Sequence, residues 1–235
     1  GLNLFSWQAK DRCIDIYVLF KHADAVNNPT ITFDYNPWVW VLGRYIFDFY
    51  ALLYPILAAI LSYSLCDVEY KNYGFRLLFT RPISKLTIYS SKMVFLLEIN
   101  FISFLIGYLA FLLSGFALDK LLPGYEFSSY NVNNLTAFYF SYLFIALSAV
   151  SIMQYYLSLI FKSFVLPIGF AGFMTIFGVI AQNKDYIYLI PYGTVWRLNY
   201  GFYSGIIDFS KGEYLNISCV LFFIIISFFV FIRKK

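Results

Sequence analysis

Long apolar runs separated by short polar islands dominate the chain. Five runs are long enough to cross a hydrocarbon core, which takes about 20 residues of helix: 38–66, 93–118, 135–161, 163–182 and 214–232. Apolar residues follow one another continuously in each run instead of alternating with a period of two. That pattern favours helices over a membrane β-barrel. The predicted fold class is therefore all-α and polytopic, a single membrane domain covering 1–235. The segment 183–213 is dense in Tyr and Trp and broken by Pro191 and glycines, and it is too polar to span. It is expected at the outer interface or re-entering the membrane partway.

Composition agrees with that reading. The 235 residues are 61% hydrophobic, 23% aromatic and 13% charged, and the mean hydropathy is +0.70. A soluble domain averages about 25% charged residues, so it could not hide this much apolar surface. The net charge of +4 matters less than its placement, because basic residues mark the cytoplasmic face. The island 67–92 holds Lys71, Arg76, Arg81, Lys85 and Lys92 against Asp67 and Glu69. The 161–163 link carries Lys162, and the chain ends Arg233-Lys234-Lys235. Counting spans puts all three on one side, read as cytoplasmic. The outer segments 10–37, 119–134 and 183–213 mix both signs, with Lys21, Lys120 and Lys211 external. The basic residues form no dense stripe, so nucleic acid is not an expected partner.

This topology puts Gly1 outside. GLNLFSW reads like the tail of an apolar helix, so a first span before Gly1 is expected, with 1–37 as the outer loop between it and the next helix. The full protein would then have six spans. A removed signal peptide is the competing reading.

Few residues can carry catalysis. His22 is the one histidine, which excludes HExxH-type centres and His-rich metal sites. No Gly-Lys dipeptide occurs, so a GxxxxGK[ST] phosphate loop is absent. The cysteines Cys13, Cys66 and Cys219 lack metal-ligand spacing, although Cys13 and Cys219 could pair near the outer face. Asn134-Leu135-Thr136 and Asn216-Ile217-Ser218 match the glycosylation pattern, a short signal that arises by chance. Within the apolar runs the charged residues are Arg44, Asp48 and Glu98. Arg44 and Asp48 are four apart and can neutralise each other near the outer end of a helix. Glu98 lies about 9 Å of helix rise beyond Lys92, where it could reach headgroups, pack against a polar helix or serve in coupling. The helices show no continuous polar stripe, which suits a hydrophobic client better than an ion. No internal repeat is evident, so an inverted-repeat secondary transporter has no support.

The island 67–92 is more specific. It interleaves Tyr70, Tyr73, Phe75, Leu77, Leu78 and Phe79 with its charges, and exposed apolar residues in a polar loop call for a covering partner. Its acid-to-glycine spacing, Glu69 to Gly74, is followed by Leu77-Leu78, then Pro82-Ile83-Ser84-Lys85, then Lys92. Over these residues the sequence resembles the permease subunits of type-2 ABC transporters, closest to the short permeases of bacterial antibiotic-peptide immunity and export. Across the rest the likeness is architectural, and the start departs from the family in lacking the first helix.

The resemblance implies a multi-pass subunit of the bacterial cytoplasmic (inner) membrane. It would work beside a second copy or a homologous permease and export a lipid, peptide or antibiotic. ATP and Mg would be bound and hydrolysed by a separate ATPase subunit, with no cofactor in this chain. The implied contacts with that ATPase are Glu69, Tyr73, Gly74, Arg76, Leu77, Leu78, Arg81, Pro82, Ser84 and Lys85. Physically, a short helix over 68–79 would lie in a groove of the partner. Gly74 would permit close approach, Pro82 would end the helix, and Glu69, Arg76 and Arg81 would fix register at the rim. A non-transporting scaffold that recruits a partner through the same island is an alternative. A membrane-embedded lipid-modifying enzyme fits less well, because the chain has no clustered His, Asp or Glu at one face.

Overall fold

A computed structural model describes residues 38, 48–71, 82–121, 133–181, 184, 186–187, 190–204 and 211–233. Every regular element of appreciable length among them is an α-helix: α1 Asp48–Leu52, α2 Tyr54–Tyr70, α3 Lys85–Leu121, α4 Asn133–Ile160, α5 Val165–Ala181, α6 Pro191–Ser204 and α7 Lys211–Arg233. Stretches within α3, α4 and α7 are long and apolar enough to cross a membrane. Helix α5 is apolar but has 17 residues, roughly 25 Å of rise. The first predicted span appears as α1 and α2, interrupted at Leu53 just before Pro55, where the proline ring cannot continue an upstream helix without loss of a hydrogen bond.

Helix α4 is the axis of the bundle. In its apolar stretch 67% of residues are buried, against 11% in α3 and 17% in α7. It packs against α2, α3, α6 and α7, and from Ala146 to Ile152 every residue is buried. A helix buried on all sides needs small residues where neighbours come close. Ala146, Ser148, Ala149 and Ser151 supply them, facing Ala58, Ala59, Ser62 and Cys66 of α2. The two backbones approach closely enough for Ser62 Oγ to donate to the Ser151 carbonyl at 3.3 Å.

Helix α6 is the structural content of the predicted outer segment. Its first turns, Pro191 to Trp196, are buried and pack on α4 and α5, so this half enters the bundle. Helix α5 meets it with a small-residue face, Ala171, Thr175 and Gly178. The halves of α3 and α4 remote from the basic pole join through rings, with Tyr108 and Phe104 at 5.1 and 5.3 Å from Phe140. Trp38 packs edge-on to Phe111 at 5.2 Å.

The expectation that no continuous polar stripe exists is corrected by α4. Ser148, Ser151, Gln154 and Ser158 are three or four apart and all buried, so they form one polar face turned into the bundle. Asn100 of α3 accepts from Tyr54 and from Ser151 Oγ, the latter at 3.2 Å, and Gln154 donates to Tyr192. Such a stripe is hard to see in the sequence because Ser and Gln are few within a strongly apolar run. The lipid-facing side is instead apolar, with Phe101, Ile102, Ile106, Leu113, Leu221, Phe222 and Ile225 exposed.

The α5–α6 seam is open to test. A Cβ added at Gly178 would lie 2.7 Å from Trp196 Cδ1 and 3.3 Å from the Tyr192 carbonyl oxygen, whereas one added at Gly172 meets nothing within 4 Å. Gly178→Leu is expected to destabilise the protein by about 1–3 kcal/mol through overpacking. Gly172→Leu should leave the thermal midpoint in detergent unchanged. Thermal unfolding of the two purified variants checks the contrast.

Candidate functional site at the basic end of the bundle

The two helices that bracket residues 72–81 end and begin at one pole of the bundle. Helix α2 continues without a break through Val68 and Glu69 to Tyr70, and Lys71 then turns extended at φ −77°, ψ 144°. This corrects the expectation of a separate short helix beginning near Val68: the first residues of the island are the last turn of the membrane helix. The rest of that expected helix lies in 72–81, outside the described residues, together with Tyr73, Gly74, Arg76, Leu77, Leu78 and Arg81.

On the far side of the gap, Ser84 starts α3 as its N-cap. Its Oγ accepts the Thr87 amide at 3.0 Å, satisfying one of the donors that a helix start leaves free. Pro82, Ile83 and Ser84 are exposed. The Pro-Ile-Ser-Lys run therefore has a local physical meaning: Pro82 stops any helix arriving from its N-terminal side, and Ser84 launches α3.

Helix C-termini are negative dipole ends with unsatisfied carbonyls, and those of α2, α4 and α7 lie together here. Lys85 Nζ donates to the Ile232 carbonyl at 3.0 Å, near the last residue of α7. Tyr70 donates to the Ser158 and Leu159 carbonyls at 2.8 Å each, in the last turn of α4. Lys92 Nζ donates to the Leu65 carbonyl of α2 at 2.7 Å and pairs with Glu69 Oε1 at 2.5 Å. Tyr63 reaches the carbonyl of Lys162 at 3.3 Å. The three basic stretches that charge counting put on one side are therefore neighbours in space.

Glu69 requires a second correction. Expected at the rim of a partner's groove, it is 8% exposed and spent on Lys92 of the same chain. Holding both charges out of water makes the ionised pair a costly connection. Asp67 by contrast pairs with Lys71, whose side chain is 70% exposed, a contact of little energetic weight.

The intramembrane charges fall in different places. Glu98 is exposed on α3, Asp48 is the first residue of α1, and Arg44 lies outside the described residues. So does Cys13. Cys219 carries a free thiol. Among the described residues no group of three or more His, Cys, Asp or Glu could hold a metal ion.

These features define an all-helical, multi-pass membrane protein whose helices α2 and α3 end and begin together at its basic pole. Residues 16–178, more than two thirds of the chain, match the family described as ABC-2 family transporter protein. The chain belongs to that family and is a membrane permease component of an ABC transporter, the subunit distinct from the ATPase. No curated protein and no solved structure gives a significant match.

The capping role of Ser84 has a direct check. Ser84→Ala should cost about 1 kcal/mol at the start of α3 and speed hydrogen exchange of the Thr87 amide. Ser84→Asp, which can cap equally well, should restore protection. Exchange measured by mass spectrometry on the purified protein reads both.

Proposed function

We propose that this permease is driven by a separate ABC ATPase subunit that docks on residues 67–92, and that it exports an amphipathic or hydrophobic molecule from a bacterial cytoplasm or inner leaflet. The observation that carries the reading is the basic pole of the bundle. Two helices that reach into the bundle are interrupted at the same end by a segment rich in Tyr, Phe, Leu and Arg, and the flanking Pro82 and Ile83 face outward. A force applied to that segment acts on α2 and α3 at once.

ATP and Mg would belong to the ATPase, since this chain has no phosphate-binding loop. A second permease, identical or homologous, would complete the path. The exposed Glu98 of α3 supports this, because a carboxylate at membrane depth seeks a protein neighbour over lipid. The client is inferred from the distribution of polarity. Exposed surfaces of α3 and α7 are largely apolar, while hydroxyls and amides of α4 are turned inward, several of them without a hydrogen-bond partner among the described residues, which suits a substrate that mixes apolar and neutral polar groups. No acidic or basic column crosses the described helices, so an ion is a poorer fit.

Docking is tested at Gly74. Gly74→Leu should abolish co-purification of the ATPase while membrane insertion persists, because a new side chain would hold two backbones apart. Arg81→Ala should weaken docking by about 2 kcal/mol if the guanidinium is buried in the interface and by much less at its rim. Lys211→Ala is the outer-side control and should change nothing. A Gly74→Leu variant that binds its ATPase normally would leave 67–92 as a membrane anchor and favour a different docking surface.

A further inference from the structure

Helices α2 and α3 each lean chiefly on α4 and other elements instead of lying along each other, so what joins them at the basic pole is a set of side chains. One of them, Lys92, reaches across to α2. It lies two turns into α3, on the same face as Lys85 seven residues earlier, and it reaches α2 twice: Glu69 Oε1 at 2.5 Å and the Leu65 carbonyl at 2.7 Å. The side chains of Lys92 and Glu69 are only 13% and 9% exposed. Around them Cys66, Ile88, Tyr89, Met93, Tyr155 and Phe231 form a buried apolar cluster, so water competes little for the pair. Glu69 Oε2 is buried with no hydrogen-bond partner among the described residues.

A buried ion pair is a poor way to gain stability, since desolvation offsets most of the attraction. It is a good way to fix geometry, because once buried it tolerates little displacement and breaking it strands a charge. This one binds the last turn of α2 to the second turn of α3, on either side of segment 72–81. Lys85 extends the connection to the C-terminus of α7.

We propose that Lys92 is a positioning residue for coupling: clasped to Glu69 and Leu65, it makes the feet of α2 and α3 one rigid base for segment 72–81. Displacement of that segment by the ATPase then moves both helices together instead of being absorbed between them. The proposal rests on the docking role of 67–92 and assigns Lys92 and Glu69 to transmission within the permease, not to contact with the partner.

The test uses the assembled permease and ATPase in liposomes, with spin labels at Val68 and Leu86. Both positions are exposed, at 75% and 59%, and flank the clasp without belonging to it. In the unmodified complex the label-to-label distance distribution should be narrow, and it should keep its width when ATP, Mg and vanadate are added. Lys92→Met and Glu69→Gln should each still co-purify with the ATPase, yet broaden that distribution at least twofold, with further broadening on nucleotide. Lys92→Arg, which retains cation and donors, should restore the narrow form. Should Lys92→Met fail to fold, Glu69→Gln carries the comparison, since it leaves the Leu65 bond intact. Docked complexes of Lys92→Met or Glu69→Gln with an unchanged distribution and nucleotide response would overturn the proposal alone. An unmodified chain that assembles with no ATPase would overturn the functional reading and the proposal with it.

Discussion

The free carbonyls at the ends of α4 and α7 organise one pole of this protein. Where these helices end beside α2, their dipoles concentrate negative charge and their last carbonyls need donors. The chain answers with Tyr70 of α2 and Lys85 of α3, while Lys92 of α3 binds the Leu65 carbonyl and Glu69 within the last turns of α2. The same positive charge that orients a membrane protein toward the cytoplasm thus closes the bundle at that pole. It also determines where α3 begins, because Lys85 and Lys92 can reach α7 and α2 only if Ser84 starts the helix at its observed register. In sequence, residues 72–81 join the two edges of this closure, the end of α2 and the serine that caps α3.

Polarity elsewhere obeys the opposite rule to that of a soluble protein. Lipid gives no reward for burying one apolar group against another, so close packing of small residues and hydrogen bonds between helices take over that task. The seam of Ala58, Ala59, Ser62 and Cys66 against α4, and the bonds from Tyr54 and Ser151 to Asn100, are those two devices side by side. Large aromatic residues fill the wider spaces at the half remote from the basic pole, as at Trp38, Phe111 and Phe140. These residues look redundant in composition and become distinct only through their partners.

Much of this was legible in the sequence. The apolar runs 93–118, 135–161, 163–182 and 214–232 lie within or nearly coincide with α3, α4, α5 and α7, because continuous hydropathy over 20 residues has few structural outcomes. Ser84 was readable as part of a Pro-hydrophobic-Ser-basic run. The inward polar face of α4 was not, since isolated Ser and Gln residues carry no directional signal until a helix is surrounded. Glu69 was misplaced at a rim for a related reason. A charge beside a loop looks exposed in one dimension, and its partner Lys92 lies 23 residues away in sequence, beyond the reach of local spacing rules. The continuation of α2 through Tyr70 was obscured by the polar character of Asp67 and Glu69, which mimics a helix end.

The segment between α2 and α3 is the face on which we propose that an ATPase works. A photo-activatable cross-linking residue at position 77, in the complex expressed in its own membrane, tests it most directly, with position 120 at the opposite end of α3 as the comparison. A covalent adduct between the permease and the ATPase is expected from position 77 and none from position 120. An adduct from 120, or none from 77 in a complex that hydrolyses ATP, would contradict it.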